Sequence, residues 1–312
     1  MKTQLKLSKT IGIIAIFFMT YFLFLIFSDI EKTFSTLMNV EKNLLLGGFA
    51  FWLLGGFARV LRWHFFLRSI TKKIPFIKSS LYFLAGFAFI LSPARAGEMI
   101  RSPIIKRDYN ISSSKTAPIV IIERFYDLLA VTIIIAIGLL FIDIEKSIII
   151  IPVAFIVSVL IVIKNKTLVK KLFIKITKFR ILNKITLNVD ESFDVMYNLL
   201  RPKYFTAGLT TSLVFAIFEV AGVYLFLTGL SGDIRFEDLV VLFHIANFAA
   251  AVSMIPAGIG VLEGGFIGLL VLYDIEYEVA FSTTIATRLA STVMFTIIGI
   301  LALYLVTKQK ET

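Results

Sequence analysis

The sequence predicts an all-α integral membrane protein with six full transmembrane helices and two oppositely oriented re-entrant helical hairpins, arranged as an inverted repeat. Three observations predict it. Of 312 residues, 58% are hydrophobic and 17% charged, where soluble domains are about half apolar and about a quarter charged. Apolar runs close to the ~20 residues needed to cross a bilayer recur along the chain. Two further apolar runs are broken by proline, glycine and charge, at Leu91-Ser92-Pro93-Ala94-Arg95-Ala96-Gly97-Glu98 and at Ile255-Pro256-Ala257-Gly258-Ile259-Gly260-Val261-Leu262-Glu263-Gly264-Gly265. Broken backbone in hydrocarbon is tolerated only where it is buried in protein or lines a watery cavity. Paired breaks in two halves of one chain point to a transporter's binding site.

The formal net charge of +11 fits cytoplasmic loops and contact with anionic lipid headgroups, and no nucleic-acid partner is expected. There is no cysteine, which excludes a disulfide framework, thiol catalysis and a thiolate metal site. His64 and His244 are far apart in sequence and read as packing or interface residues. No metal and no cofactor are expected.

Short cytoplasmic loops collect Lys and Arg, which orients each element. Lys2, Lys6 and Lys9 precede an uncharged run at 10–28, read as a retained first span rather than a cleaved signal. The acidic loop after it lies outside. The second span, 44–67, ends inside among Arg59, Arg62, Arg68, Lys72, Lys73 and Lys78. The run 79–94 has inside-type charge on both flanks and is too short to cross, so it reads as a re-entrant hairpin. Ser92 as N-cap with Pro93 at the first helical position starts its returning half-helix. The third span, 116–142, leads out to Asp143 and Glu145, and the fourth, 147–163, returns.

Residues 164–203 hold ten Lys or Arg against three acids. Leu168, Leu172, Ile176 and Phe179 share one helical face, as do Val189, Phe193, Met196 and Leu200, which predicts amphipathic helices on the inner leaflet. The fifth span, 204–229, leads out. The segment 239–273 breaks at Pro256-Ala257-Gly258 and reads as a second re-entrant hairpin, opening from the opposite face. The sixth span, 279–307, ends inside at Lys308 and Lys310. The chain 1–312 is thus read as one membrane domain, with units 44–142 and 204–307 in opposite orientation, an amphipathic linker at 164–203, and both termini cytoplasmic.

A charge near the bilayer centre costs at least a few kcal/mol and faces a cavity or a partner. The candidates at depth are Arg95, Glu98, Glu123, Arg124, Asp127, Glu219, Glu263 and Arg288. Arg95 and Glu98 fall in the first turns after Pro93, where free backbone N–H groups and the positive helix end attract an anion. A half-helix near Pro256 offers the same, with Gly258 and Gly260 allowing close approach. Arg59, Arg62 and Arg101 extend this basic surface, and Trp63 reads as an interfacial anchor. The competing reading is structural: these charges pair with one another and hold the bundle together. Asp127 in particular reads as an anchor for a neighbouring arginine.

The ordered motifs Ala58-Arg59-Val60-Leu61-Arg62-Trp63, Ser92-Pro93-Ala94-Arg95-Ala96-Gly97-Glu98-Met99-Ile100-Arg101, Glu123-Arg124-Phe125-Tyr126-Asp127 and Pro256-Ala257-Gly258-Ile259-Gly260-Val261-Leu262-Glu263-Gly264 resemble the lysylphosphatidylglycerol synthase transmembrane region, or flippase-like domain, over nearly the whole chain. Ala94 and Ala257 stand where that family usually has glycine, and Thr287 stands before Arg288 where many members have an aromatic residue. The resemblance implies the membrane part without the soluble synthase domain, and hence lipid translocation rather than an enzyme. The lipids it implies carry a phosphate-linked head, either an aminoacyl-phospholipid or a polyprenyl- or dolichyl-phosphate-linked sugar.

The expected function is a flippase-like transporter in a prokaryotic plasma membrane. Its partners would be membrane lipids, with an anionic phospholipid or polyprenyl-phosphate as substrate. Arg95, Arg101, Arg124 and Arg288 would hold the anionic part; Glu98, Glu219 and Glu263 would hold amines, hydroxyls or a coupling proton. The alternatives are a polytopic lipid-phosphate transferase and a small-solute or ion transporter. The sequence leaves a homo-oligomer open.

Overall fold

A computed structural model describes residues 40–142, 150–177 and 188–308, together with Glu31 and Ser35. The expected first span at 10–28, the acidic turn with Asp143 and Glu145, and the stripe position Phe179 lie outside these residues. The described elements are helical throughout.

Helix α1, Lys42–Arg68, coincides with the second predicted span. Phe76–Gly86 forms α2 and tightens into a 3-10 turn at Phe87–Phe89. Pro93–Ile100 is a second 3-10 segment, and Arg101–Tyr109 forms α3. The α-helix expected to return from Pro93 therefore begins only at Arg101. Ser92 has the extended backbone of an N-cap, but its hydroxyl accepts from the Gly97 N–H at 2.7 Å rather than from the first turn. Arg95 adopts a left-handed φ of 53°, which side chains disfavour by about 1 kcal/mol or more.

Helix α4, Ser113–Gly138, carries Pro118 inside it. Proline removes one intrahelical bond and frees the carbonyl four residues back. That carbonyl, of Ser114, accepts instead from the Ser192 hydroxyl at 2.9 Å. Ser192 lies on α7, Val189–Leu199, which is also fixed to α4 by Asn188 N–H to Ser114 Oγ at 2.7 Å and by Tyr126 Oη to the Leu199 carbonyl at 2.7 Å. The apolar stripe of α7 accordingly packs on protein: Phe193 and Met196 are buried. This corrects the expectation of an inner-leaflet face for that helix. Before it, α5 (Ile150–Lys164) and α6 (Lys166–Thr177) meet at 107°. Leu168 and Leu172 on α6 are exposed, as a lipid-facing stripe would be.

Helix α8, Pro202–Gly229, packs along α1. Gly48 and Gly222 oppose each other so closely that a Cβ on either would stand 2.9 Å from the other's carbonyl, the small-residue contact by which apolar helices associate. Then follow α9 (Phe236–Val252), a 3-10 turn at Pro256–Gly258 and α10 (Val261–Leu272). α11 (Tyr277–Arg288), a π-helical turn at Leu289–Val293 and α12 (Met294–Lys308) form one apolar rod. α12 lies on α2 and the 3-10 turn that follows it, where Gly299 abuts the backbone of Phe87 and Ala88. Overpacking a tight contact costs about 1–3 kcal/mol, so Gly299→Val is expected to lower thermal stability in detergent by that amount; an unchanged melting temperature would mean α12 is free to move away.

Among the described residues, three helices are long and apolar enough to cross a membrane, Lys42–Arg68, Pro202–Gly229 and Tyr277–Lys308, or four if the bent α5–α6 pair counts as one span. Helix α4 is long enough but carries Glu123, Arg124 and Asp127 together. These charges belong to the cluster described next.

Candidate functional site

The two interrupted segments, 93–100 and 256–258, pack against each other. Beside the first of them α1, α3, α4 and α8 converge with charged side chains. Arg59 and Arg62 project from one face of α1, and Glu123 and Asp127, four apart, from one face of α4. Arg101 enters at the start of α3, its guanidinium passing over Gly86.

These groups form a closed ring of alternating charge. Asp127 holds Arg62 Nη1 at 2.6 Å, and Arg62 Nε lies 3.9 Å from Glu123. Glu123 accepts from Arg101 at 2.9 Å, and Arg101 also binds Glu98. Glu98 accepts from Arg124 at 3.1 Å, and Arg124 returns to Asp127 at 3.3 Å. Ser212 on α8 donates to Asp127 at 3.0 Å and is itself bonded to Arg62. Aromatic faces cover the cations: Arg101 lies 4.3 Å from Phe83 and 4.9 Å from Trp63, and Arg59 lies 4.6 Å from Phe215. Such contacts gain strength where water is excluded.

The ring is sealed on one side and open on the other. The side chains of Arg62, Glu98, Arg101 and Glu123 are 0% exposed, whereas Arg124 is 26% and Asp127 17% exposed. Three further charges stand around it. Arg59 contacts Asp127 at 3.3 Å. Arg95 and Glu219 are half-buried, and each lies within electrostatic reach of Arg124, Asp127 and the other. Among the described residues, neither side chain has a hydrogen bond or ion pair.

The second interruption is organised separately. Ala257, Gly258 and Gly260 have left-handed φ values of 52°, 63° and 84°. Glycine suits all three positions, and Ala257 bears the strain. Arg288 donates Nε to Glu263 at 2.8 Å, Nη1 to the Ala257 carbonyl at 2.9 Å and Nη2 to the Gly258 carbonyl at 3.4 Å. Glu263 also accepts the Gly260 N–H at 2.8 Å. The start of α10 thus faces its own carboxylate.

The structure therefore brings Arg59, Arg62, Arg95, Glu98, Arg101, Glu123, Arg124, Asp127 and Glu219 into one cluster. It assigns Glu263 and Arg288, with Gly258 and Gly260, to pinning the second interruption. Trp63 is fully buried, which corrects its reading as an interfacial anchor. Ser212 and the aromatic lids Phe83 and Phe215 were not legible in sequence, because a lone serine or phenylalanine in an apolar helix carries no signal. The described residues contain no group of three or more His, Asp or Glu placed to hold a metal ion.

Residues 10–299 match the model of the lysylphosphatidylglycerol synthase TM region. The chain belongs to this family. A UPF0104 membrane protein of Methanocaldococcus jannaschii is 28% identical over 233 residues, covering 70% of this chain and 94% of that protein. A UPF0104 membrane protein of Pyrococcus horikoshii is 25% identical over 301 residues, covering 87% of this chain and 90% of that one. The lysylphosphatidylglycerol synthase TM region is a membrane domain, in keeping with the apolar helices described above.

Proposed function

We propose that this protein is a flippase-like transporter that moves a lipid with a phosphate-containing headgroup between leaflets. Arg95 carries the reading: it is a half-buried guanidinium with no partner among the described residues, beside the open face of Arg124. Guanidinium forks match phosphate geometry. The headgroup binds at Arg95, Arg124 and Arg59 while the acyl or prenyl tails stay in the bilayer. The sealed half of the ring holds the bundle together, which gives Glu98, Glu123, Arg62 and Arg101 a structural role.

In this reading α2–α3 and α9–α10 are two re-entrant hairpins entering from opposite faces, within six spans and an inverted repeat of units 44–142 and 204–307. Both termini are cytoplasmic, in a prokaryotic plasma membrane. Transport proceeds by rocking of one unit against the other, with no covalent chemistry on the lipid.

The test is translocation of a fluorescent phospholipid in liposomes. Hydrogen bonds to a charged group contribute about 1.5–3 kcal/mol, so Arg95→Ala and Arg124→Ala are each expected to slow flux roughly 10–100-fold. Arg95→Ala should leave the melting temperature close to wild type, since no ion pair is lost. Wild-type rates in both variants would overturn the reading, and product formation from a lipid-phosphate and a sugar or aminoacyl donor would favour a transferase.

A further inference from the structure

The charge count around the ring isolates one carboxylate. Within the ring three guanidiniums, of Arg62, Arg101 and Arg124, balance the three carboxylates of Glu98, Glu123 and Asp127. Outside it stand two guanidiniums, of Arg59 and Arg95, against the single carboxylate of Glu219. The surplus is one positive charge when Glu219 is ionised and two when it is protonated.

Glu219 follows Lys203 as the next charged residue on α8 and is the last on that helix. The charges within its reach are Arg59 from α1, Arg95 from the first interruption, and Arg124 and Asp127 from α4. The other helices packed on α8 place no further charge within reach of Glu219. Arg288 of α11 is bound to Glu263 and Asp190 of α7 pairs with Lys170; the His244 ring of α9 bonds the Val240 carbonyl and meets α8 at the backbone of Ala216, and it is not among the charges acting on Glu219. Glu98 and Glu263, the other carboxylates with a candidate coupling role in the sequence, are committed to arginines. An ionised carboxylate in an apolar bundle costs several kcal/mol unless it is paired, and Glu219 has no such partner among the described residues.

We propose that Glu219 is a proton-binding site coupled to the anion site, so that a phosphodiester anion and a proton bind together. This rests on the phosphate reading given above. An arriving anion and the Glu219 carboxylate compete for the same guanidiniums, Arg59, Arg95 and Arg124. Like charges side by side are relieved when the carboxylate takes a proton from water. Linkage makes the effect reciprocal: protonation of Glu219 strengthens anion binding by the factor by which the anion strengthens protonation. The anion then leaves the opposite side together with one proton, and a proton gradient drives the lipid.

The experiment measures binding of dihexanoylphosphatidylglycerol to the detergent-solubilised full chain by calorimetry between about pH 5 and 9, in buffers of differing ionisation enthalpy. The phosphodiester does not titrate in that range, so any proton taken up belongs to the protein. Wild type is expected to take up as much as one proton per ligand, with affinity falling by up to tenfold per pH unit once Glu219 is ionised. Glu219→Gln fixes the neutral form and is expected to bind with no uptake and a flat pH profile. Dimethyl phosphate serves as a tail-less arm. Uptake with both ligands assigns the site to the phosphodiester itself, and uptake with the lipid alone assigns it to a lipid headgroup; either supports the proposal. Binding by wild type without proton uptake overturns it even if the variant fails to fold, and so does uptake by Glu219→Gln equal to wild type. Absence of binding to either ligand instead overturns the phosphate reading.

Discussion

Arg101→Ala is expected to cost about 3–5 kcal/mol, the range for removing one partner from a buried ion pair. The magnitude follows from what remains. Arg101 bridges Glu98 and Glu123, and all three side chains are 0% exposed. Deleting the guanidinium leaves two carboxylates facing a space that Phe83 and Trp63 close off from water. Glu98 keeps Arg124 at 3.1 Å and Glu123 keeps only the longer 3.9 Å contact with Arg62, so three carboxylates share two guanidiniums and one negative charge in the sealed half goes uncompensated. The measurement is thermal unfolding in detergent, with yield as a second indicator. Arg101→Lys should recover only part of the loss, because one ammonium cannot serve both carboxylates with the fork's geometry. Combining Arg101→Met with Glu123→Gln should recover more than Arg101→Met alone, since one charge of each sign is removed and Arg62 and Arg124 still balance Asp127 and Glu98. Stability of Arg101→Ala equal to wild type would show that the ring is not what binds α1, α3 and α4.

The fate of Arg101 also marks how far sequence reasoning reaches. Long apolar runs fixed α1, α8 and the α11–α12 rod to within two residues or so, because their length and composition admit few alternatives. The motifs that gathered the ring residues were equally legible. Arg59, Arg62 and Arg101 served in sequence both as inside-type charges and as candidate site residues, and the structure buries all three. Charge content alone does not separate a cytoplasmic loop from a paired interior. The same ambiguity affects α7, whose apolar stripe faces α4 instead of lipid. Helical periodicity reports an apolar neighbour without saying which kind. The 3-10 course of 93–100 was hidden for another reason. Its local sequence favours a helix, but the Ser92–Gly97 bond and the pairing of Glu98 with Arg124 of α4 depend on contacts that no local window contains.

Arg288→Ala is the second substitution expected to cost about 3–5 kcal/mol, and its signature should be local as well as global. Arg288 closes four interactions, with Glu263, the Ala257 and Gly258 carbonyls and Thr292. It ends α11 immediately before the π-helical turn at Leu289–Val293. π-turns recur at functional positions inside helices, and this one sets the last residue of α11 against the broken segment. The left-handed conformation of Ala257 persists only while surrounding contacts over-determine it, and Arg288 supplies its carbonyl contact. Without the guanidinium the Glu263 carboxylate, 1% exposed, loses its arginine, and the strain at Ala257 loses the carbonyl contact that opposes it. Amide exchange at 257–260 should therefore accelerate well beyond the rise seen across α1 and α8. Arg288→Lys should restore much of the global stability while leaving that local exchange fast, because an ammonium neutralises Glu263 but does not span both carbonyls. Uniform acceleration along the chain would reduce Arg288 to a general stabiliser. Acceleration confined to the second interruption would make it the pin that keeps 256–258 seated against 93–100, and hence the contact that any rocking motion has to release.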